Sequence, residues 1–216
     1  MVKLQVALDL RDLNKAVKIA HEVIENGADI IEIGTPLIKE FGSEAIKRIR
    51  KEFPKITILA DMKTMDAGFL ESQIAFEAGA DLTVVLALAD DSTILEAKRA
   101  AKEYNGSIVI DLINTPNPVK RALEIYSLGV MNFCFHIGVD VQKRRRASIL
   151  ELLNDIKSFK RKAKEGKVFI AGGIRIEMLN TILNYPIDVI VVGKAITGAS
   201  NPGEVARKFK EIIKLN

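Results

Sequence analysis

Ile58-Leu59-Ala60-Asp61-Met62-Lys63-Thr64-Met65-Asp66-Ala67-Gly68 is the stretch on which the reading of this chain turns. An apolar run ends at Asp61, and Lys63 and Asp66 follow it closely. In a strand, side chains alternate between faces. Thr57, Leu59, Asp61 and Lys63 then share one side, and Ile56, Ile58 and Ala60 the other. Opposite charges placed together each favour the ionised form, so Lys63 is expected to remain an ammonium. That disfavours Schiff-base chemistry, which needs a neutral amine, and favours stabilisation of an oxyanion. The same residues also read as a surface ion pair with Asp66 capping the next helix. The remaining chain decides between the two.

On both sides of this segment one pattern repeats: a short β-rich run, a small or polar residue, then an amphipathic helix. Strands are expected at residues 3–9, 30–34, 56–61, 82–87, 107–112, 130–136, 168–171 and 189–192. Helices are expected at 13–26, 36–52, 69–78, 91–104, 119–128, 147–164, 176–184 and 202–214. Three units share a turn in which glycine stops a helix and a strand begins: Asn26-Gly27-Ala28-Asp29, Ala78-Gly79-Ala80-Asp81 and Ser127-Leu128-Gly129-Val130. Eight such units without a change of composition predict a single-domain (β/α)8 TIM barrel over residues 1–216. A doubly wound sheet is disfavoured, because Asp9-Leu10-Arg11-Asp12 stands where a dinucleotide fingerprint needs glycines.

Composition bounds the function. The 216 residues are 48% hydrophobic and 28% charged, with a formal net charge of +4, the profile of a globular chain. No apolar run approaches the roughly 18 residues of a membrane span, and Val2–Asp9 lacks a signal-peptide pattern. Cys134 is the sole cysteine; no internal disulfide can form, and it reads as core rather than nucleophile. A cytoplasmic protein is expected. The basic run Lys143-Arg144-Arg145-Arg146 has no interleaved aromatics, so it reads as a solvated helix start, or a loop near an anionic substrate, rather than a nucleic-acid site. His21 falls mid-helix and reads as surface.

Strand parity brings the polar candidates together. Gln5, Ala7 and Asp9 oppose Leu4, Val6 and Leu8; Ile30, Glu32 and Gly34 oppose Ile31 and Ile33; Asn132, Cys134 and His136 oppose Met131, Phe133 and Phe135. With the apolar sets under the helices, Asp9, Glu32, Asp61 with Lys63, and His136 converge at the C-terminal rim, where barrel enzymes carry their chemistry. Neighbouring carboxylates at Glu32 and Asp61 call for a positive partner. Lys63 serves, or a hard divalent cation with oxygen ligands such as magnesium; the absence of a His or Cys cluster argues against zinc. His136 suits a proton shuttle, or is a core histidine satisfied by a carbonyl. Two glycine turns, Ala171-Gly172-Gly173-Ile174 and Val192-Gly193-Lys194-Ala195, follow the last two strands. In barrels that pair of loops often binds phosphate through bare N–H groups, and Lys194 could add a charge, although glycine also merely ends strands.

Asp61-Met62-Lys63-Thr64-Met65-Asp66 resembles the D-x-K-x-x-D signature of the orotidine-monophosphate decarboxylase superfamily. Glu32-Ile33-Gly34-Thr35-Pro36-Leu37-Ile38 resembles its metal-dependent branch of hexulose-phosphate synthases and gulonate-phosphate decarboxylases. The decarboxylases carry arginine three residues after the histidine, where this chain has Val139. The run His136-x-Gly138-x-Asp140-x-Gln142 is closer to the synthases, although those have glycine where Lys194 stands. The resemblance implies a magnesium-dependent, reversible aldol addition of formaldehyde to ribulose 5-phosphate, giving D-arabino-hex-3-ulose 6-phosphate. It implies metal ligands at Glu32 and Asp61, an enediolate whose charge is held by the metal and Lys63, and His136 as proton carrier. Asp9 would position Lys63 or a substrate hydroxyl. It also implies a homodimer in which Asp66 reaches the neighbouring site, and action alongside a 6-phospho-3-hexuloisomerase. Gulonate-phosphate decarboxylation is the nearest alternative, and a non-catalytic sugar-phosphate-binding barrel a more distant one.

Overall fold

A computed structural model describes residues 1–215 as a closed parallel barrel in which each strand pairs with the next and the eighth pairs with the first. The strands are β1 (Lys3–Leu8), β2 (Ile30–Ile33), β3 (Thr57–Thr64), β4 (Leu82–Leu86), β5 (Ser107–Asp111), β6 (Asn132–His136), β7 (Lys167–Ala171) and β8 (Val189–Val192). The helices between them are α1 (Leu13–Glu25), α2 (Thr35–Phe41), α3 (Ser43–Glu52), α4 (Gly68–Glu77), α5 (Asp91–Glu103), α6 (Pro118–Ser127), α7 (Val139–Arg145), α8 (Leu153–Lys162), α9 (Leu179–Ile182), α10 (Lys194–Thr197) and α11 (Pro202–Leu215).

Parity sorts the strand side chains as expected. Leu4, Val6, Leu8, Ile31, Ile33, Phe133 and Phe135 face the helices. Ala7, Ile30, Leu59, Val84, Val109, Cys134 and Phe169 fill the barrel interior. Helix signals act locally: Asp12 caps α1 by accepting from the Lys15 N–H, and Ala16, Val17, Ile19, Ala20 and Val23 bury one stripe of that helix.

Several expected elements differ, among them the helix expected over 176–184, which opens as a 3-10 turn at Ile176–Met178 before the short α9. The helix expected over 36–52 breaks at Gly42, whose φ of 60° separates α2 from α3. The one expected over 147–164 opens as a 3-10 turn, capped by Ser148 with Glu151 in a reciprocal box, before α8 begins. The basic run does not start a helix: Lys143, Arg144 and Arg145 occupy the last turn of α7, where the helix dipole favours cations.

The recurrent glycine turns lie at the N-terminal end of the barrel, and the aspartates after two of them, with Asp188 ahead of β8, do a common job. Asp29 accepts from the Leu4 N–H at 2.7 Å and from Lys210 of α11. Asp81 accepts from the Ile58 N–H at 2.7 Å and from Arg50 of α3 at 2.5 Å. Asp188 accepts from the Val168 N–H at 2.8 Å and faces Lys160 of α8 at 3.5 Å. Each aspartate satisfies the first free N–H of the preceding strand and ties a helix to the barrel floor.

Candidate active site

At the opposite rim β3 departs from ideal alternation. Its register against β4 shifts between Ala60 and Thr64, and Lys63 has a φ of 49°, a conformation L-residues with side chains rarely adopt. Asp61 and Lys63 therefore meet through an irregularity rather than by alternation alone. Lys63 Nζ donates to Asp61 Oδ1 at 3.1 Å and to Asp111 Oδ2 at 3.0 Å. Asp111 closes β5 and also accepts the Ile113 N–H at 2.9 Å. It lies 3.0 Å from His136 Nδ1.

These contacts fix protonation states. Burial disfavours the Lys63 ammonium, but the charges and hydrogen bonds of Asp61 and Asp111 outweigh it, so its pKa lies above the usual lysine range. Burial would raise the Asp111 carboxyl; His136 and Lys63 overcome this and pull it down to about 2. An ionised Asp111 has no hydrogen to give, so His136 Nδ1 carries the hydrogen between them; in the neutral imidazole Nε2 is then the acceptor. Sequence parity missed Asp111. It occupies the inner face as Val109 does, yet the apolar Leu112-Ile113 behind it hid the rim position.

On the other side of Asp61 stand the remaining acids. Glu32 is buried and accepts from Gln5 Nε2 at 2.6 Å. Burial pushes its carboxyl well above the usual range, and the charges of Asp61 and Asp9 push the same way, against the Gln5 bond and Lys63. Asp9 keeps access to solvent at the mouth. The protein around it, then the charge of Asp61, raise its carboxyl above the ordinary value, against Lys63 and His136. Gly34 makes room for it, since a Cβ there would stand 2.3 Å from Asp9 Oδ1. Asp61 accepts in addition from Thr35 Oγ1 at 2.7 Å. Gln5 and Thr35, which no sequence pattern marks, orient the two carboxylates through these hydrogen bonds.

Glu32 and Asp9, each raised by burial and then by the charge of Asp61, with the nearest lysine already divided between two acids, suit a hard divalent cation. The donors are all oxygens, and a cation would offset the burial and the neighbouring charges that raise Glu32. The buried Gln5 Oε1 has no hydrogen-bond partner, a further sign of a polar layer with capacity left over.

Gly172 and Gly173 are in the left-handed region, with φ of 120° and 67°. A Cβ on either would lie 2.5 Å or less from Ile137 O and Gln142 Oε1 respectively, so only glycine fits this turn. Gly193 and Lys194 sit on the adjacent strand's exit, Lys194 exposed at the start of α10. Asp66 does not join the cluster within its own chain. It is exposed and accepts from the Ala67 N–H at 2.7 Å, one residue before α4, rather than from an N–H of that helix. Val139 is 60% exposed at the start of α7, and places no guanidinium beside His136.

Residues 2–209 match the orotidine 5'-phosphate decarboxylase / HUMPS family. The chain belongs to that family. It is 40% identical to the 3-hexulose-6-phosphate synthase of Bacillus subtilis (strain 168), over 98% of this chain and 99% of that protein. A crystal structure of 3-hexulose-6-phosphate synthase superposes with a TM-score of 0.92 at 39% identity, covering 98% of this chain and 99% of the other. The structure of KGPDC from Streptococcus mutans, solved as a ligand complex, also gives 0.92, at 28% identity, over 99% and 98% of the two chains. This member of the orotidine 5'-phosphate decarboxylase / HUMPS family is thus a lyase with 3-hexulose-6-phosphate synthase activity, working on sugar phosphates. Among the described residues no helix is long and apolar enough to cross a membrane.

Proposed function

We propose that the chain condenses formaldehyde with D-ribulose 5-phosphate through an enediolate, with a magnesium ion held by Glu32 and Asp61. The observation that carries this reading is Lys63, kept as an ammonium by Asp61 and Asp111 at 3.1 and 3.0 Å, beside a histidine whose Nε2 is free to accept. When bound, the ion supplies Lewis-acid polarisation of the substrate carbonyl.

His136 Nε2 takes a proton from C1, and the electron pair passes into the C1–C2 bond. The charge left on the C2 oxygen faces Lys63, which stabilises it without giving up its own proton. C1 then attacks the carbon of formaldehyde, and His136 returns a proton to the former aldehyde oxygen. Asp111 holds the imidazolium while it exists and keeps its tautomer fixed on return. Asp9 orients Lys63 or a substrate hydroxyl. The turn at Gly172 and Gly173, with Gly193 and Lys194, receives the phosphate. Exposed Met65, Leu70, Ile74, Leu88 and Leu95, on or beside the packed helices α4 and α5, support a homodimer, with Asp66 directed at the partner's site.

The test is exchange at C1 of ribulose 5-phosphate in deuterated water without formaldehyde. Exchange is expected in the wild type and lost in His136→Asn. Exchange unaffected by that substitution would remove His136 from the proton step. Gulonate phosphate, run in parallel, tests the second reading, which the likeness to KGPDC favours and Val139 opposes.

A further inference from the structure

One group at the barrel mouth takes no part in this chemistry. Cys134 is buried on the inner face of β6, paired in register with Asp111 and two residues before His136. A ring nitrogen of His136, a carboxylate oxygen of Asp111 and the Cys134 sulfur all lie within 4.8 Å of one another. The sequence hides this cluster, because Asp111 comes from a different strand.

A tetrahedral zinc site, with sulfur at about 2.3 Å and nitrogen at about 2.0 Å, has donor-to-donor edges of roughly 3.3–3.7 Å. Side-chain adjustments on the order of an ångström convert the observed cluster into such a site. The donors are imidazole, thiol and carboxylate, which suit zinc or cobalt; magnesium takes oxygen ligands. Asp61 and Asp111 share one ammonium, Lys63, at 3.1 and 3.0 Å, so the two carboxylates outnumber it.

We infer that Asp111, Cys134 and His136 form an inhibitory site for a thiophilic divalent metal, separate from the oxygen ligands assigned to magnesium. On binding, the Cys134 thiol releases its proton to solvent and the His136 hydrogen moves from Nδ1 to Nε2. One proton leaves per metal, and nothing is oxidised or reduced. The Nε2 that accepts the C1 proton is then already occupied, and Asp111 is drawn away from Lys63. The binding step stands on the cluster's geometry; the inhibition rests on the proton role given above to His136.

The experiment uses the purified protein in saturating magnesium, with Cys134→Ala and, against a packing defect, Cys134→Val. With magnesium alone both variants are expected to turn over as the wild type does. Added zinc is expected to inhibit the wild type, with the half-inhibitory concentration rising about tenfold or more in both variants. Cobalt is expected to give the near-ultraviolet thiolate charge-transfer absorption in the wild type and in neither variant. Equal zinc sensitivity in all three proteins, with no thiolate absorption, would overturn the site and place inhibition at the magnesium ligands. A thiolate absorption without loss of turnover would keep the site but overturn inhibition, and with it the role of His136.

Discussion

Lys63 holds a backbone conformation, φ of 49°, that costs on the order of 1–3 kcal/mol, and its side chain is gripped by two carboxylates. Lys63→Ala is expected to lower kcat by about 10²–10³, equivalent to about 2.7–4 kcal/mol of barrier, as measured by formaldehyde consumption with ribulose 5-phosphate. Near-normal turnover would remove the central assignment. Asp111→Asn tests the other end of the network. A carboxyl held at about 2 in the folded protein, against 3.8 ordinarily, contributes about 2 kcal/mol. That stability is fully present above the ordinary value and is lost as pH falls from there toward about 2. The wild type's advantage over Asp111→Asn in urea unfolding is therefore expected to shrink across that window. A gap independent of pH would contradict the assigned ion pairs. Both residues bear on what the sequence could disclose. The Asp61–Lys63 pairing was legible from spacing, but the bulge that brings the pair into place was not, because nothing in Met62-Lys63-Thr64 marks a left-handed residue. Asp111 needed the third dimension, since its partners lie 48 and 25 residues away.

The strands and helices divide the molecule into two ends with different duties. At the floor, Asp29, Asp81 and Asp188 join strand N–H groups to Lys210, Arg50 and Lys160. The glycine turns that announced the repeat in the sequence lead into two of these, and their position opposite the active rim predicts a structural role. Asp81→Ala leaves the Ile58 N–H without its acceptor and takes the carboxylate from Arg50, which keeps its bonds to the Gly79 and Ile56 carbonyls. It is expected to destabilise the fold by about 1–3 kcal/mol, read as a lower urea midpoint, with kcat/KM unchanged. A loss of activity in the fully folded variant would contradict that division. Element boundaries were legible where a hydrophobic period or a cap marked them, as in α1, with Asp12 ahead of its apolar stripe. They were misplaced where one residue's geometry decides: Gly42 interrupts an otherwise helical pattern, and the capping box of Ser148 and Glu151 starts with a 3-10 turn.

At the scale of the whole molecule, the apolar side chains left exposed on α4 and α5 set a further expectation. Leu70 is 58% and Ile74 41% exposed, and a dimer would cover them. Leu70→Glu with Ile74→Glu is expected to yield a species of half the wild-type mass in sedimentation, with reduced turnover if Asp66 serves the partner's site. A wild type that sediments as a monomer at high concentration would contradict the shared-site arrangement. The barrel itself was legible because eight βα periods admit few closed solutions, and parity then carried Asp9, Glu32, Asp61 and His136 to one rim, with the bulge in β3 bringing Lys63 to them. The acids there make cation dependence the central claim. Formaldehyde consumption with ribulose 5-phosphate, followed under chelator and then on adding magnesium, tests it most directly. The account predicts loss of turnover under chelator and full recovery with magnesium, with no recovery in Glu32→Gln. Turnover that persists in chelator would contradict it.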